Sequence, residues 1–439
     1  MNPNEFKRRR NQLMKMIGKG NIAILSAAPQ CIRNRDVEYP YRQDSDFLYL
    51  SGFLEPESVL VLVPGRKHGE YILFCRENDP EQETWHGRRA GQQGAVEAFG
   101  ADDSFPISDI DDILPGLLEG RQKVFTAIGR YPDFDQRLMG WVNQIKRQSR
   151  SGAHVPYEFV AIDHLLHDMR LYKSRAEIGA MKKAAQISIA AHKRAMRQCR
   201  PGMHEYQIEA EFAHEFRRNH AEHAYSPIVG GGANACILHY TENNQPLNDG
   251  ELLLIDAGCE VEGYAADITR SFPINGEFTP AQRDIHEIVW QAQKAAIRKV
   301  KPGNHWNDPH NAAVRVITKG LVELKLLKGN VTRLIKEEAY KRFYMHRTGH
   351  WLGLDVHDVG DYKVGDQWRL LEPGMVMTVE PGIYIPAHSK GVHRKWWNIG
   401  VRIEDDVLVT KTGCEVLTAG LPSRANEIEA FMAGEDRAP

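Results

Sequence analysis

Short apolar runs separated by polar or glycine-containing segments dominate the first third of the chain. Residues 21–26, 58–64 and 70–75 are rich in Val, Ile and Leu. Runs of this length and composition predict buried strands. Helical stretches lie between them, so residues 1–170 are predicted to form an N-terminal α/β domain.

From about residue 174 the spacing of apolar residues becomes helical. An amphipathic helix is predicted over 174–199, with an apolar face made by Ile178, Met181, Ala185 and Ile189. Further helices are predicted over 204–219 and 280–300. The second domain, residues 171–439, is therefore expected to place helices outside strands that carry polar residues.

Two aspartates in this second part follow or interrupt apolar sequence. Residues 252–255 are an apolar run that ends in Asp256, and Asp267 is flanked by apolar residues. Gly258 and Gly263 bound the stretch between them, which predicts two strands joined by a tight connection that brings the aspartates face to face. A strand-end aspartate taken alone is equally well explained as a turn former. An unpaired charge at Asp267, however, would be costly.

Three histidines fall within twelve residues, at His346, His350 and His357. The spacing of the first two suits a zinc-binding helix, but no glutamate follows His346, so the HExxH arrangement is absent. Gly349 and Gly353 also argue against a continuous helix. We expect a glycine-bent loop that leads into a short strand and presents imidazoles, which can ligate a metal or exchange a proton near neutral pH.

Two glutamates complete the set of candidate ligands. Residues 375–379 read as a strand that runs into Glu380 and stops at a Pro-Gly turn. Residues 400–406 alternate apolar and charged side chains, the pattern of a strand, with Arg402 and Glu404 on one side. An ordinary solvent-facing ion pair would also explain this second pattern.

Four carboxylates and one imidazole cannot share a small buried volume as bare charges, because repulsion and desolvation would shift their pKa values or force them apart. A pair of divalent cations would resolve that conflict. The chain is therefore interpreted as a two-metal hydrolase, provided that these five residues converge: Asp256, Asp267, His350, Glu380 and Glu404.

Composition excludes several other classes. A 42% hydrophobic and 26% charged chain of 439 residues is ordinary for a globular protein with two cores. A net charge of −2 gives no electrostatic reason to expect nucleic acid or an anionic membrane as partner. The six cysteines are scattered singly, which favours a reducing cytoplasm. The basic run Arg8-Arg9-Arg10 is predicted to be an exposed helix face.

The order of the five candidates and the sequence motifs around them resemble those of the metal-dependent pita-bread peptidases. Among these, the Xaa-Pro aminopeptidases (aminopeptidase P) are most similar. The matching words are IDAGCEVEGYAADITRSFP, GHWLGLDVHD, VEPGIY and VRIEDD, with YRQDSDFLYLSGF in the N-terminal half. The resemblance implies an α/β (α+β) protein whose C-terminal pita-bread domain has a pseudo-symmetric antiparallel sheet flanked by helices. One departure is Arg347, where many relatives carry glycine.

The same resemblance implies two metal ions, most often manganese, which suits oxygen-rich ligands. Asp267 and Glu404 would bridge both ions, Asp256 would complete one site, and His350 and Glu380 would complete the other. Glu380 would also carry the proton from the attacking water to the leaving amine.

Four further side chains are candidates for catalysis. His357 and His239 would hold the carbonyl or the tetrahedral intermediate, and His346 would position substrate or support the ligands. Arg402 would orient Glu404 through charged hydrogen bonds.

Peptides with proline in second position are the substrates that the resemblance implies, with a homodimer or homotetramer as the assembly. Prolidase, a Xaa-Pro dipeptidase with the same ligands, is the nearest alternative. A metal-free creatinase-like hydrolase or a non-catalytic relative is a more distant one, since such proteins lose some of the five ligands. Methionine aminopeptidase is disfavoured, because it would not need the N-terminal domain.

Overall fold

The structure is a computed structural model that describes residues 1–434, and the chain divides into two compact units between Arg170 and Leu171. The elements up to this division are α1 (Pro3–Ile17), β1 (Ile22–Ser26), β2 (Ile32–Asn34), β3 (Val37–Glu38), α2 (Ser45–Ser51), β4 (Val59–Leu62), β5 (Tyr71–Cys75), α3 (Pro80–His86), α4 (Gly91–Glu97), β6 (Asp103–Pro106), α5 (Ile110–Leu118), β7 (Lys123–Thr126), α6 (Pro132–Arg147), β8 (Glu158–Ala161) and α7 (Asp163–Leu171).

A mixed six-stranded sheet forms the centre of the first unit, in the order β6-β5-β4-β1-β7-β8. β1 pairs antiparallel with β4 and parallel with β7. Alternate residues such as Ile22 and Ile24 pack against α5 and α6, where Leu114 and Trp141 are buried. The three predicted strand runs are thus the three adjacent strands β1, β4 and β5.

The first helix exposes Arg8, as predicted, but not Arg9 and Arg10. Arg9 and Arg10 are almost fully buried. Each guanidinium donates to a carbonyl near the end of α2, from Arg9 to Tyr49 O at 3.0 Å and from Arg10 to Leu50 O at 2.8 Å. The prediction of an exposed basic face is therefore wrong for Arg9 and Arg10, because these side chains satisfy helix-end carbonyls.

The second unit contains α8 (Arg175–Gln198), α9 (Glu205–Arg218), β9 (Glu222–His223), β10 (Ile228–Gly231), β11 (Leu252–Asp256), β12 (Cys259–Val261), β13 (Tyr264–Ala265), β14 (Thr269–Pro273), α10 (Pro280–Ile297), α11 (Asn307–Glu323), α12 (Val331–Lys336), β15 (Lys363–Val364), β16 (Gln367–Trp368), β17 (Val376–Val379), β18 (Gly382–Ile385), β19 (Ile399–Arg402), β20 (Asp405–Val409), β21 (Cys414–Val416) and α13 (Ala425–Ala433). Short 3₁₀ helices include Gly232–Cys236.

Antiparallel strands make up the small sheets of this unit. β11 lies between β10 and β14, and β20 lies between β17 and β21. The three predicted helices are α8, α9 and α10, and Ser174 and Thr279 begin α8 and α10 with capping boxes. The predicted combination of an α/β first unit with an antiparallel, helix-flanked second unit is confirmed.

Three local predictions need correction. The segment 400–406 is not one strand: β19 ends at Arg402 and β20 begins at Asp405, so Glu404 lies in the break. The histidine stretch forms a loop, and an isolated bridge between Trp351 and Met377 of β17 stands where the short strand was predicted. The two aspartates are joined by the small β12–β13 hairpin and not by one tight turn.

Candidate metal centre

The four carboxylates lie where paired strands end or begin. Asp256 is the last residue of β11 and pairs with Thr269, the first residue of β14, while Asp267 comes two residues earlier. Glu380 directly follows β17, whose last residue pairs with Asp405, and Glu404 directly precedes β20. The two strand pairs thus present two carboxylates each, at or just beyond the strand ends.

Backbone hydrogen bonds join these pairs and fix the histidine segment beside them. The Glu404 N–H donates to Thr269 O at 3.0 Å, which connects the second pair to the first. The Thr378 N–H donates to His350 O at 2.9 Å, and the Glu380 N–H donates to Thr348 O at 2.8 Å. A Cβ on Gly349 would lie 2.0 Å from Thr378 O, so only glycine allows this approach.

The five candidate ligands converge in one buried cluster. His350 Nε2 lies 3.4 Å from Asp267 Oδ2 and 3.6 Å from Glu380 Oε1. One ligand atom each from Asp267, His350 and Glu404 lies within 4.8 Å of the others. The Tyr225 hydroxyl is 2.6 Å from both Asp256 Oδ1 and Asp267 Oδ1, so the two aspartates share one donor.

Burial and mutual repulsion set the protonation of the glutamates. Burial, followed by the charges of Asp267, Glu380 and Asp256, raises the pKa of Glu404 well above its ordinary value. Burial is also the main cause that raises the pKa of Glu380 to about 7, against the opposing charges of His350 and Arg402.

The histidine and Asp267 stabilise each other's charge. Burial alone would lower the pKa of His350, but its hydrogen bond to Asp267 and the charge of Glu380 raise the value to about 9. Burial likewise opposes the ionisation of Asp267, yet the hydrogen bond and charge of His350 hold its pKa below the ordinary value. These two groups form an ion pair at neutral pH.

Arg402 contacts a different carboxylate from the one predicted. Its Nη2 lies 2.7 Å from Asp256 Oδ2, so its carboxylate partner is Asp256 and not Glu404. Its Nε donates to Thr269 Oγ1 at 3.1 Å, and Thr269 Oγ1 donates to Glu404 Oε2 at 2.6 Å. Because β19 ends at Arg402, its side chain and that of Glu404 do not share a strand face, and Thr269 links them.

The other predicted side chains lie around this cluster. His346 Nδ1 is 3.6 Å from Glu380 Oε2, and its Nε2 is 2.8 Å from the Tyr384 hydroxyl. The ring of His357 lies edge-on to that of His350, with centroids 4.3 Å apart. His239 is exposed. Burial is the main cause that lowers the pKa values of His346 and His357, and the charge of His239 contributes to both shifts.

Sequence patterns did not reveal three residues whose side chains contact the cluster. Tyr225 and Tyr384 bring hydroxyls to the cluster, and the Asp406 carboxylate accepts from the Asp267 N–H at 3.2 Å. Burial, followed by the charge of Asp267, raises the pKa of Asp406 well above its ordinary value. Asp406 was visible in the VRIEDD word, whereas no local pattern marks Tyr225.

The residues fit a pair of divalent cations. Four carboxylates and one imidazole are donors that hard or borderline ions prefer. Arg402 and His350 offset part of the negative charge within the cluster, and the pKa of Glu404 is raised first by burial and then by the remaining carboxylate repulsion. Cations at this position would relieve it.

Comparisons with known proteins agree with this geometry. Residues 179–411 match Metallopeptidase family M24, and residues 6–125 match Aminopeptidase P, N-terminal domain. The chain belongs to metallopeptidase family M24, as an enzyme of its aminopeptidase P branch.

Full-length relatives support the assignment. The chain is 46% identical over 430 residues to Xaa-Pro aminopeptidase from Escherichia coli, covering 98% of this chain and 97% of the relative. It superposes on the structure of Pseudomonas aeruginosa aminopeptidase PepP with a TM-score of 0.99 at 60% identity, covering 100% and 99% of the two chains. The structure of E. coli aminopeptidase P with the inhibitor Pro-Leu gives a TM-score of 0.96 at 45% identity, with both chains fully covered.

Proposed function

We propose that this chain is a dinuclear metal-dependent aminopeptidase that releases the N-terminal residue from peptides with proline in second position. The observation that carries this proposal is the convergence of the five candidate ligands in one buried cluster. The full-length similarity to the E. coli Xaa-Pro aminopeptidase supports the substrate class.

Asp256, Asp267, His350, Glu380 and Glu404 are proposed to hold two ions, with Mn²⁺ as the expected metal because most donors are oxygen. The chemistry that such a pair supplies is the polarisation of a carbonyl oxygen and a lowered pKa for water. The surrounding protein keeps the ligands in place: Thr269 holds Glu404, and Arg402 holds Asp256.

Glu380 is the proposed proton carrier. In the metal-free protein, burial raises the pKa of Glu380 to about 7, and a positioned carboxylate can accept a proton and return it. Thr378 Oγ1 donates to Glu380 Oε1 at 3.3 Å, which fixes the orientation of the carboxylate. The proton from the attacking water would thus reach the leaving nitrogen through Glu380.

His239 and His357 are proposed to hold the substrate carbonyl and the tetrahedral intermediate. The pKa of His357 lies below its ordinary value, chiefly because of burial and then the charge of His350, so its ring is neutral at pH 7 and can donate one hydrogen bond. His346, tied to Tyr384, is proposed to position the substrate.

A preference for proline is consistent with this arrangement. The bond before proline is a tertiary amide without an N–H. Enzymes that require a hydrogen bond from that group cannot hold it. The cluster described here presents groups to the carbonyl and a proton to the nitrogen, and neither needs the N–H.

The test is hydrolysis of a tripeptide with proline second, compared with the same peptide carrying alanine there. Turnover should require proline, disappear after chelation and return with Mn²⁺. Glu380→Gln should lower kcat by at least about 100-fold, whereas Glu415→Gln, at an exposed strand position, should keep full activity. Normal turnover by Glu380→Gln would refute the proton-carrier role, and cleavage of Xaa-Pro dipeptides alone would make the enzyme a prolidase.

Within residues 1–434, no helix is long and apolar enough to cross a membrane. The cytoplasmic location and the dimeric or tetrameric assembly stay predictions. Light scattering of the purified protein measures the number of chains in the assembly directly.

A further inference from the structure

A buried glutamate outside the metal centre makes an unusual set of contacts. Glu205, the first residue of α9, is fully buried. Its Oε1 accepts from Gly231 N–H at 2.8 Å and Asn234 Nδ2 at 3.0 Å. Its Oε2 accepts from the Tyr240 hydroxyl at 2.7 Å and Gln245 N–H at 2.9 Å. All four donors are neutral, and all belong to one segment.

That segment, residues 231–245, is called here the His239 loop. It leaves β10, whose first residue Ile228 pairs with Asp256, and it passes through the 3₁₀ helix Gly232–Cys236 before it reaches His239. Glu205 holds the loop at its beginning, at its end, and at the residue next to His239. The Glu205 N–H also donates to Gln245 O at 3.0 Å.

We propose that Glu205 is a positioning residue for catalysis, whose carboxylate sets the place of His239 relative to His346 and His357. This inference rests on the proposed function, since it assumes that His239 contacts the substrate. His239 itself lies on the exposed surface. The buried carboxylate holds the backbone next to this exposed histidine through the Tyr240 hydroxyl.

Replacement by glutamine isolates the acceptor chemistry at constant shape. The amide keeps one oxygen acceptor, but its NH₂ group would face two donors, so the loop must shift at one side. A displacement of about 1 Å at a catalytic group can cost roughly 100-fold in rate. We therefore expect Glu205→Gln to lower kcat roughly 10- to 100-fold for a Xaa-Pro tripeptide, with little change in KM and with metal content as in the wild type.

Glu215→Gln is the matched control. Glu215 lies on the same helix, but its carboxylate accepts from Asn219, one turn further along that helix. The substitution makes the same chemical change and leaves the loop contacts described above in place. Its kcat should equal that of the wild type. Wild-type kcat in Glu205→Gln would overturn the inference.

A double-mutant cycle separates positioning from loss of stability. In a His239→Ala background, Glu205→Gln should cause no further loss of kcat, because the group that it positions is gone. An equal loss in both backgrounds would indicate a general structural role and overturn the inference. If Glu205→Gln does not fold, Tyr240→Phe, which removes one donor, enters the same cycle with a smaller expected loss and the same two outcomes.

The cycle also distinguishes this inference from the proposed function. Absence of Xaa-Pro hydrolysis by the wild-type enzyme would refute the function before any variant is made. Hydrolysis by the wild type with unchanged kcat in His239→Ala would leave the function standing and overturn the positioning role.

Discussion

Loading the metal-free protein with divalent ions should release protons. Imidazole must be neutral to bind a metal, and a carboxyl must be ionised. His350 has its pKa raised to about 9, so at pH 7 it would give up about one proton. Glu380, with a pKa of about 7, would give up about half, and Glu404, whose pKa is also raised, adds to this. His350 and Glu380 together account for about 1.5 protons per chain at pH 7, and the raised pKa values of Glu404 and Asp256 add to this number.

The sign of the pH dependence follows directly. The ions bind the deprotonated groups, so protons compete with them and affinity rises as pH increases through these pKa values. Release of at least about 1.5 protons means that the combined affinity for both ions rises at least roughly 30-fold between pH 6.5 and 7.5. Above about pH 10, where His350 is already neutral, metal affinity should rise only a little further with pH.

Isothermal titration calorimetry with Mn²⁺ at pH 7 measures the number of protons released on metal binding. The observed heat is compared in two buffers of different ionisation enthalpy, and titration into protein already loaded with metal is the control for non-specific heats. Identical heats in the two buffers would mean that no proton leaves. That result would refute the reasoning, because it would show the five groups already deprotonated before the ions bind.

Two substitutions test the support of the cluster. Arg402→Met removes the buried cation that contacts Asp256 and the Tyr384 hydroxyl, so the metal-free protein should lose about 3–5 kcal/mol of unfolding free energy in urea. A loss below about 1 kcal/mol would contradict the buried ion pair. Gly349→Ala would place Cβ 2.0 Å from Thr378 O and push His350 away from β17, so metal affinity should fall roughly 10- to 100-fold. Gly413→Ala, which has open space around its Cβ, is the control, and equal affinities in the two variants would refute the steric argument.

The candidate ligands could be predicted because each has a local signal. Asp256 and Glu380 end apolar strand-like runs, and His350 stands next to a glycine. The strand pairs then bring these local signals together. The ligand side chains approach within a few ångströms only through long-range strand pairing. The sequence motifs implied that pairing only through resemblance to a family.

The partners of these ligands could not be predicted in the same way. Arg402 alternates with Glu404 in sequence, which suggests a shared strand face, but the strand breaks between them and alternation does not reveal a break. Tyr225 lies 31 residues from Asp256, and its hydroxyl reaches the cluster only through the fold. Arg9 and Arg10 are buried for a similar reason, because α2 carbonyls 40 residues away accept their hydrogen bonds.

The most direct test of the central claim is anomalous diffraction from crystals grown with Mn²⁺, together with elemental analysis of the same protein. We expect two manganese peaks per chain, about 3.5–4 Å apart, both within bonding distance of side chains from the set Asp256, Asp267, His350, Glu380 and Glu404. A single peak, or peaks bound by other residues, would contradict that claim.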